Sequence, residues 1–299
     1  MHVMGGGDVG GAKTQIMNTV TGLSRTNDVM LISFRAGPFA DEARERGIDV
    51  RVIERHNPFR AARTMRDLVD EFKPDIIHCP GGRANLMGAM VRRSRRIPII
   101  TTVHSDYRLD YLGSPLKQHT LGTANAIALR FLDFYQPVAD RMARTLIERG
   151  FDPERIVKIY NGMEFNRPEG EFDRAAYLRE TYGAEIEEGD VLCGIAARLT
   201  AVKDIATTVR GFAEALKTAP QLRLFIAGDG EDADMLKKLC DQLGVRERVT
   251  FCGWVSPVMP FFRAMDINLL SSVSETFPYS ILEGVCAGCA TICSDVGGM

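Results

Sequence analysis

Residues 191–227, "VLCGIAARLTAVKDIATTVRGFAEALKTAPQLRLFIA", decide the fold class. An apolar run at 191–196 leads through a polar loop into a segment of helix length at 205–217, and a second apolar run follows at 222–227. Parallel strands cannot be joined by a tight turn, so strands alternating with helical segments predict a parallel sheet covered by helices. The alternation continues downstream: helix 232–243, strand 249–252, a short helix near 257–264, strand 267–270, helix 279–287 and strand 290–293.

The same pattern runs upstream. Strands are predicted at 29–34, 50–54, 75–79 and 98–103, with helices between them such as 59–72, which Lys73-Pro74 stops. A further strand at 156–160 closes this half at "YNGME". From 165 to 190 the chain turns polar, with "RPEGEFD" and "AEIEEGD" flanking one helical stretch, the composition of a hinge. The expectation is an α/β protein of two doubly wound, Rossmann-like domains, 1–165 and 166–299, whose facing strand ends form a ligand cleft. The first strand is represented by "HVM" alone and the last stops at "DVGGM" without a covering helix, so a fragment, cut at both ends, is expected.

The 299 residues carry 37 Lys and Arg against 39 Asp and Glu, the balance of an ordinary globular chain. No apolar run reaches the roughly 18 residues of a membrane span, and "MHVMGGGDVGG" is not a signal peptide, so a cytoplasmic location is expected. Seven cysteines, an odd number lying mostly in apolar segments, read as reduced core thiols; Cys286 and Cys289 form a CxxC that no second pair completes into a zinc site. The halves differ in charge, with 24 basic against 19 acidic residues in 1–165 and 13 against 20 in the remainder. The densest basic patch, "RRSRR" at 92–96, reads as a solvated helix end or as a contact for an anionic partner. No zinc-finger spacing or basic-aromatic motif points to nucleic acid.

"MGGGDVGGAKT" lies between a strand and a helix, where open amides and the helix dipole attract anions. Gly5, Gly7 and Gly10 satisfy G-x-G-x-x-G, but the second strand ends in Phe34 and Arg35 instead of the acid that would bind a ribose. Arg35 suits a 2′-phosphate, which keeps NADP open. The other use of Gly10 and Gly11 is backbone access to a ligand. In "GIAARLTAVKD" the cations Arg198 and Lys203 fall on the loop between strand and helix, where they can neutralise a diphosphate or form surface pairs, Lys203 with Asp204. "DAD" at 232–234 has the form of a metal-binding D-x-D, yet it opens a helix, where acids are favoured without an ion.

Taken together, "GGDVGGAKT", "TTVHSD", "YNGME", "ARLTAVKD", "AGDGED" and "SSVSETFPYSILEGVCAGCATICSDVGG" resemble glycosyltransferase family 4, retaining sugar-nucleotide transferases of the GT-B fold. The resemblance covers nearly the whole chain. It implies that Glu275, before the helix, binds the donor sugar and that Glu283, within it, binds the ribose hydroxyls. It places amides near Phe277, Tyr279 and Ser280 at the diphosphate, with Pro278 contributing none. It selects His104 over the rival His78 as a contact to the transferred sugar. It assigns Arg198 and Lys203 to the departing diphosphate, and Gly10 and Gly11 to the contact between sugar and acceptor. It also implies no metal and no cofactor.

The expected partners are a nucleotide-sugar donor, a UDP-sugar first and GDP-mannose second, and a glycan, lipid-linked or small-molecule acceptor. The basic N-terminal half then rests on an anionic membrane. Two other readings stay open at this point: a GT-B-like sugar-nucleotide epimerase, and a non-catalytic nucleotide-binding or scaffold protein.

Overall fold

A computed structural model of the chain describes residues 1–5, 11–55, 57–94, 96–104, 118–165 and 170–298. The contacts divide it into two compact units, Met1–Gly162 and Met163–Gly297. In the first, the chain runs β1 His2–Met4, α1 Gly11–Leu23, β2 Met30–Ser33, α2 Pro38–Glu45, β3 Asp49–Val52, α3 Pro58–Phe72, β4 Ile77–His78, α4 Gly82–Arg92 and β5 Ile99–Val103. It continues through α5 Thr123–Leu129, β6 Phe134–Pro137 and α6 Asp140–Glu148. The six strands are parallel in the order β3-β2-β1-β4-β5-β6.

Successive strand residues point to opposite faces. Val3, Ile32, Ile77 and Ile99 meet Met65 of α3 and Met87 of α4, whereas Met4 and Leu31 meet Ile16, Met17 and Val20 of α1. Both faces are apolar because both are covered. Local signals set the helix ends. Asn57 accepts from the amides of Phe59 and Arg60, Pro58 occupies the first turn, and Lys73 closes α3 in a left-handed conformation before Pro74.

The edge of this sheet departs from expectation. The sixth strand is β6, in a stretch whose "FYQP" ends in a residue without an amide, which weakens the strand signal. The expected strand at 156–160 makes a single bridge, Ile156 to Tyr135, and then runs beside β6 with Val157 donating to Tyr135 O at 2.9 Å and Ile159 to Pro137 O at 3.1 Å.

The second unit runs α7 Arg174–Tyr182, β7 Val191–Ala196, α8 Ile205–Ala215, β8 Leu222–Ala227, α9 Ala233–Gln242 and β9 Val249–Gly253. Then follow α10 Met259–Ala264, β10 Ile267–Leu270, α11 Tyr279–Ala287 and β11 Ala290–Cys293. The strands are parallel in the order β11-β10-β7-β8-β9. Ile195, Leu224 and Ile226 pack on Val209 and Phe212 of α8 and Leu236 of α9, while Leu192 and Phe225 pack on Phe261 and Phe262 of α10. Fully burying side chains of this size is worth about 1.5–3 kcal/mol each. Cys286 and Cys289 are both buried, and the Cys289 thiol donates to Phe262 O at 3.1 Å.

Each sheet starts at an inner strand and winds outward both ways. The reversal falls between β1 and β4 in the first unit and between β7 and β10 in the second. Loops leaving the carboxyl ends of strands at such a reversal diverge and leave a crevice, the usual ligand position in open α/β sheets. No helix among the described residues is long and apolar enough to cross a membrane.

Candidate functional site

In the second unit the sequence-predicted residues gather at the carboxyl edge of the sheet. Arg198 and Lys203 lie on the loop after β7, Glu275 lies on the loop after β10, and α11 begins at Tyr279. Their loop is fixed by backbone bonds: Leu199 N donates to Asp229 O at 2.9 Å and Asp232 N to Leu199 O at 3.0 Å. The "GDG" turn after β8 can come this close only without side chains. A Cβ on Gly228 would stand 1.8 Å from Ala197 O and one on Gly230 2.2 Å from Leu199 O, and Gly228 also has a φ of 142°.

The Lys203 ammonium forms an ion pair with Glu275 Oε1, and Ser272 Oγ donates to the same oxygen at 2.6 Å. The side chains of Lys203 and Glu275 are only 18 % and 10 % exposed. Removing either partner from so enclosed a pair strands a charge. The surface pair of Lys203 with Asp204 is not formed; Asp204 Oδ2 accepts from Thr207 instead. Arg198 is exposed and makes no ion pair or side-chain hydrogen bond among the described residues. A Cβ on Gly297 would lie 1.9 Å from Glu275 O, so the segment after β11 also closes on this loop.

Glu283 sits half-buried on α11 without an ion pair or hydrogen bond among the described residues, and burial pushes its carboxyl up to about 7. Pro278 precedes α11 and no side chain caps it, so the first-turn amides find no partner within the helix. Of the residues predicted there, Tyr279 is 7 % exposed, its ring in the packed interior, while Phe277 and Ser280 are half-buried. Ser280 O accepts from Asn268 Nδ2 at 2.9 Å.

In the first unit His104 follows β5. Burial lowers its imidazole to about 4, so the ring is neutral at pH 7, and its Nε2 is buried with no partner among the described residues. The rival His78 has both nitrogens engaged, Nδ1 with His2 Nδ1 at 3.0 Å and Nε2 with Thr102 Oγ1 at 2.7 Å. His104 therefore keeps a nitrogen for a ligand and His78 does not. Gly11 opens α1, whereas Gly10 and Gly7 lie outside the described residues.

"DAD" behaves as a helix start: Asp232 precedes α9 and Asp234 stands 3.6 Å from Lys237. No group of three or more His, Cys, Asp or Glu side chains that could share a metal ion occurs among the described residues.

Residues 9–167, more than half of the chain, match the family model described as Glycosyltransferase Family 4. The chain belongs to glycosyltransferase family 4. Residues 183–299 match a second model, Glycosyl transferases group 1. The family 4 chain is 29 % identical over 241 residues to the uncharacterized glycosyltransferase MJ1607 of Methanocaldococcus jannaschii, covering 76 % of this chain and 59 % of that one. It is 26 % identical over 250 residues to the alpha-monoglucosyldiacylglycerol synthase of Streptococcus pneumoniae, covering 80 % and 56 %. The chain thus spans less than two thirds of the length of these relatives. The crystal structure of Anabaena Alr3699/HepE in complex with UDP superposes with a TM-score of 0.82 at 20 % identity, covering 99 % of this chain and 80 % of that one. The fold is that of GT-B glycosyltransferases.

Within this candidate site, charge and spacing single out Arg198, Lys203, Glu275 and Glu283, but not the groups that hold them in place. Ser272 is signalled only by a hydroxyl three positions before Glu275, and Gly297 by the doublet "GG" at 297–298.

Proposed function

We propose that this chain is the core of a retaining, metal-independent hexosyltransferase that uses a nucleotide-diphosphate sugar. The observation that carries the reading is the placement of Lys203 and Glu275 on loops leaving the two strands at the sheet reversal, with Arg198 unpaired five residues before Lys203. A diphosphate leaving group gains one further negative charge as the bond to the sugar breaks, on top of those it already carries. Arg198 offers a planar fork and Lys203 a point charge against it, preorganised in a half-dry site where such charges act most strongly. Glu275, next to Lys203, is placed to accept from hydroxyls of the transferred sugar. Glu283, eight residues further along, reaches another part of the same extended donor and accepts from its ribose.

In this reading residues 166–299 are the donor domain and residues 1–165 the acceptor domain. His104, neutral at pH 7, presents Nε2 to the sugar as positive charge develops there. The acceptor proton passes to a phosphate oxygen of the leaving group, which requires no protein nucleophile. A UDP-sugar is the favoured donor and GDP-mannose the second. The acceptor is a glycan, a lipid-linked acceptor or a small molecule; the S. pneumoniae relative is named alpha-monoglucosyldiacylglycerol synthase. A thermal-shift panel of UDP, GDP, ADP and their sugars identifies the donor through the rise in melting temperature that binding produces. With that donor, Arg198→Ala and Lys203→Ala are expected to lower turnover at least about a hundredfold, the scale of a lost transition-state donor. Loss of melting temperature alone, with turnover kept, refutes the assignment.

A further inference from the structure

Two adjacent serines follow β10, and each reaches a different half of the Lys203–Glu275 pair. Ser271 Oγ donates to Asp204 O at 2.8 Å and, more weakly, to Lys203 O at 3.3 Å. It is itself the acceptor of Thr208 Oγ1 at 2.7 Å. A serine hydroxyl has one proton, and the bond from Thr208 of α8 orients it so that this proton points at the turn. That turn needs holding, because Asp204 has φ 43° and ψ 46°, a left-handed conformation rarely adopted outside glycine. Ser272, 1 % exposed, donates to the Glu275 carboxylate at 2.6 Å, and its own carbonyl accepts from Ser294 Oγ at 2.6 Å. Between the two loops Val273 N donates to Val202 O at 3.0 Å.

We infer that Ser271 and Ser272 are positioning residues for the transfer reaction. Ser271 fixes the turn that presents the Lys203 ammonium, and Ser272 fixes the carboxylate of Glu275. This rests on the functional reading above. Neither hydroxyl needs to touch the substrate. The structural device is a single dipeptide at the end of one strand that sets the separation of a cation and an anion arriving from two loops. Without it Lys203 and Glu275 would still attract each other, but the long lysine chain would hold no fixed place for a phosphate, and Glu275 could rotate away from a sugar hydroxyl.

The test has two arms. In the ligand-free protein, hydrogen exchange of the Val273 and Lys203 amides is followed in Ser271→Ala and Ser271→Thr. Faster exchange in the alanine variant and wild-type exchange in the threonine variant, which keeps the hydroxyl, are expected. Unchanged exchange in both overturns the role of Ser271. In the second arm, kcat and KM for the donor chosen by the thermal-shift panel are measured for Ser272→Ala, Glu275→Gln and the double variant. Ser272→Ala should lower kcat about tenfold or more, the worth of a hydrogen bond to a charged group, with the affinity for the bare nucleoside diphosphate within about twofold. In the Glu275→Gln background the same change should add nothing, because residues that act through one another are not additive.

Additive effects, or a Ser272→Ala that loses only melting temperature, overturn the proposal. If instead Arg198→Ala and Lys203→Ala leave turnover intact, the functional reading falls, and the exchange arm still decides whether Ser271 holds the turn.

Discussion

Replacing Glu283 with glutamine should stabilise the protein at alkaline pH and cost it its ligand. The carboxyl, on α11, is half-buried without a counter-charge among the described residues, and that burial raises it from the ordinary 4.5 to about 7. Below pH 4.5 the group is protonated whether the chain is folded or not, and it contributes no penalty. Between 4.5 and about 7 the unfolded chain ionises first, so stability falls with rising pH; above about 7 both states are ionised and the loss is constant. At about 1.4 kcal/mol per pH unit the full loss is about 3 kcal/mol, an upper bound because water still reaches part of the side chain. Glutamine keeps the shape and removes the charge. Glu283→Gln should therefore gain about 1–3 kcal/mol at pH 8, a rise of roughly 3–10 °C in Tm, and under about 1 kcal/mol at pH 5. Thermal unfolding of both proteins at the two pH values measures this. A gain that is the same at both, or a loss at pH 8, refutes the desolvation argument. With Glu283 on the ribose as proposed, the same variant should bind UDP or GDP more weakly, since the amide replaces one of the two charged accepting oxygens with a donor.

Other outcomes follow from the same geometry. Gly228→Ala meets both an unfavourable φ and the Ala197 carbonyl, so denaturant titration should show a loss of about 2–4 kcal/mol, with donor affinity falling because the Arg198 loop must move. His104→Ala should lower kcat about tenfold to a hundredfold with little change in Tm, whereas His78→Ala should destabilise by about 1–3 kcal/mol by stranding His2 and Thr102; steady-state kinetics beside calorimetry separates the two. With Arg198 and Lys203 acting on the leaving group as proposed, turnover should persist in excess EDTA within about twofold; strict dependence on Mn²⁺ would return Asp232 and Asp234 to the site.

Much of the second unit was legible because its strands are short, mainly apolar runs, interrupted only by single residues such as Arg223 in β8 and Asn268 in β10, that alternate with segments of helix length. Strands 191–196, 222–227, 267–270 and 290–293 and helix 279–287 coincide with β7, β8, β10, β11 and α11. In the first unit the signal weakened where a strand had little to bury. β6 lies between Asp133, which pairs with Arg92, and Pro137, and its Phe134 is 43 % exposed, so neither composition nor periodicity announces it. At the site, charge and spacing pointed to Arg198, Lys203, Glu275 and Glu283. The ion pair itself was invisible, because it joins residues 72 apart and depends on which strands are neighbours. The glycines at 228, 230 and 297 could be read as turns, but not as points where one backbone presses on another.

Because the ion pair joins loops from β7 and β10, its halves are made at different times. At ribosomal speeds of about 5–20 residues per second, Lys203 emerges roughly 4–14 s before Glu275. During that interval β7 and β8 can already pair, while the seat beside β7 that β10 will take is vacant. A nascent chain therefore passes through a stage in which the Lys203 ammonium lacks the carboxylate that later neutralises it. The pair forms only when β10 takes its place beside β7, and β11 then adds to the outer edge of β10.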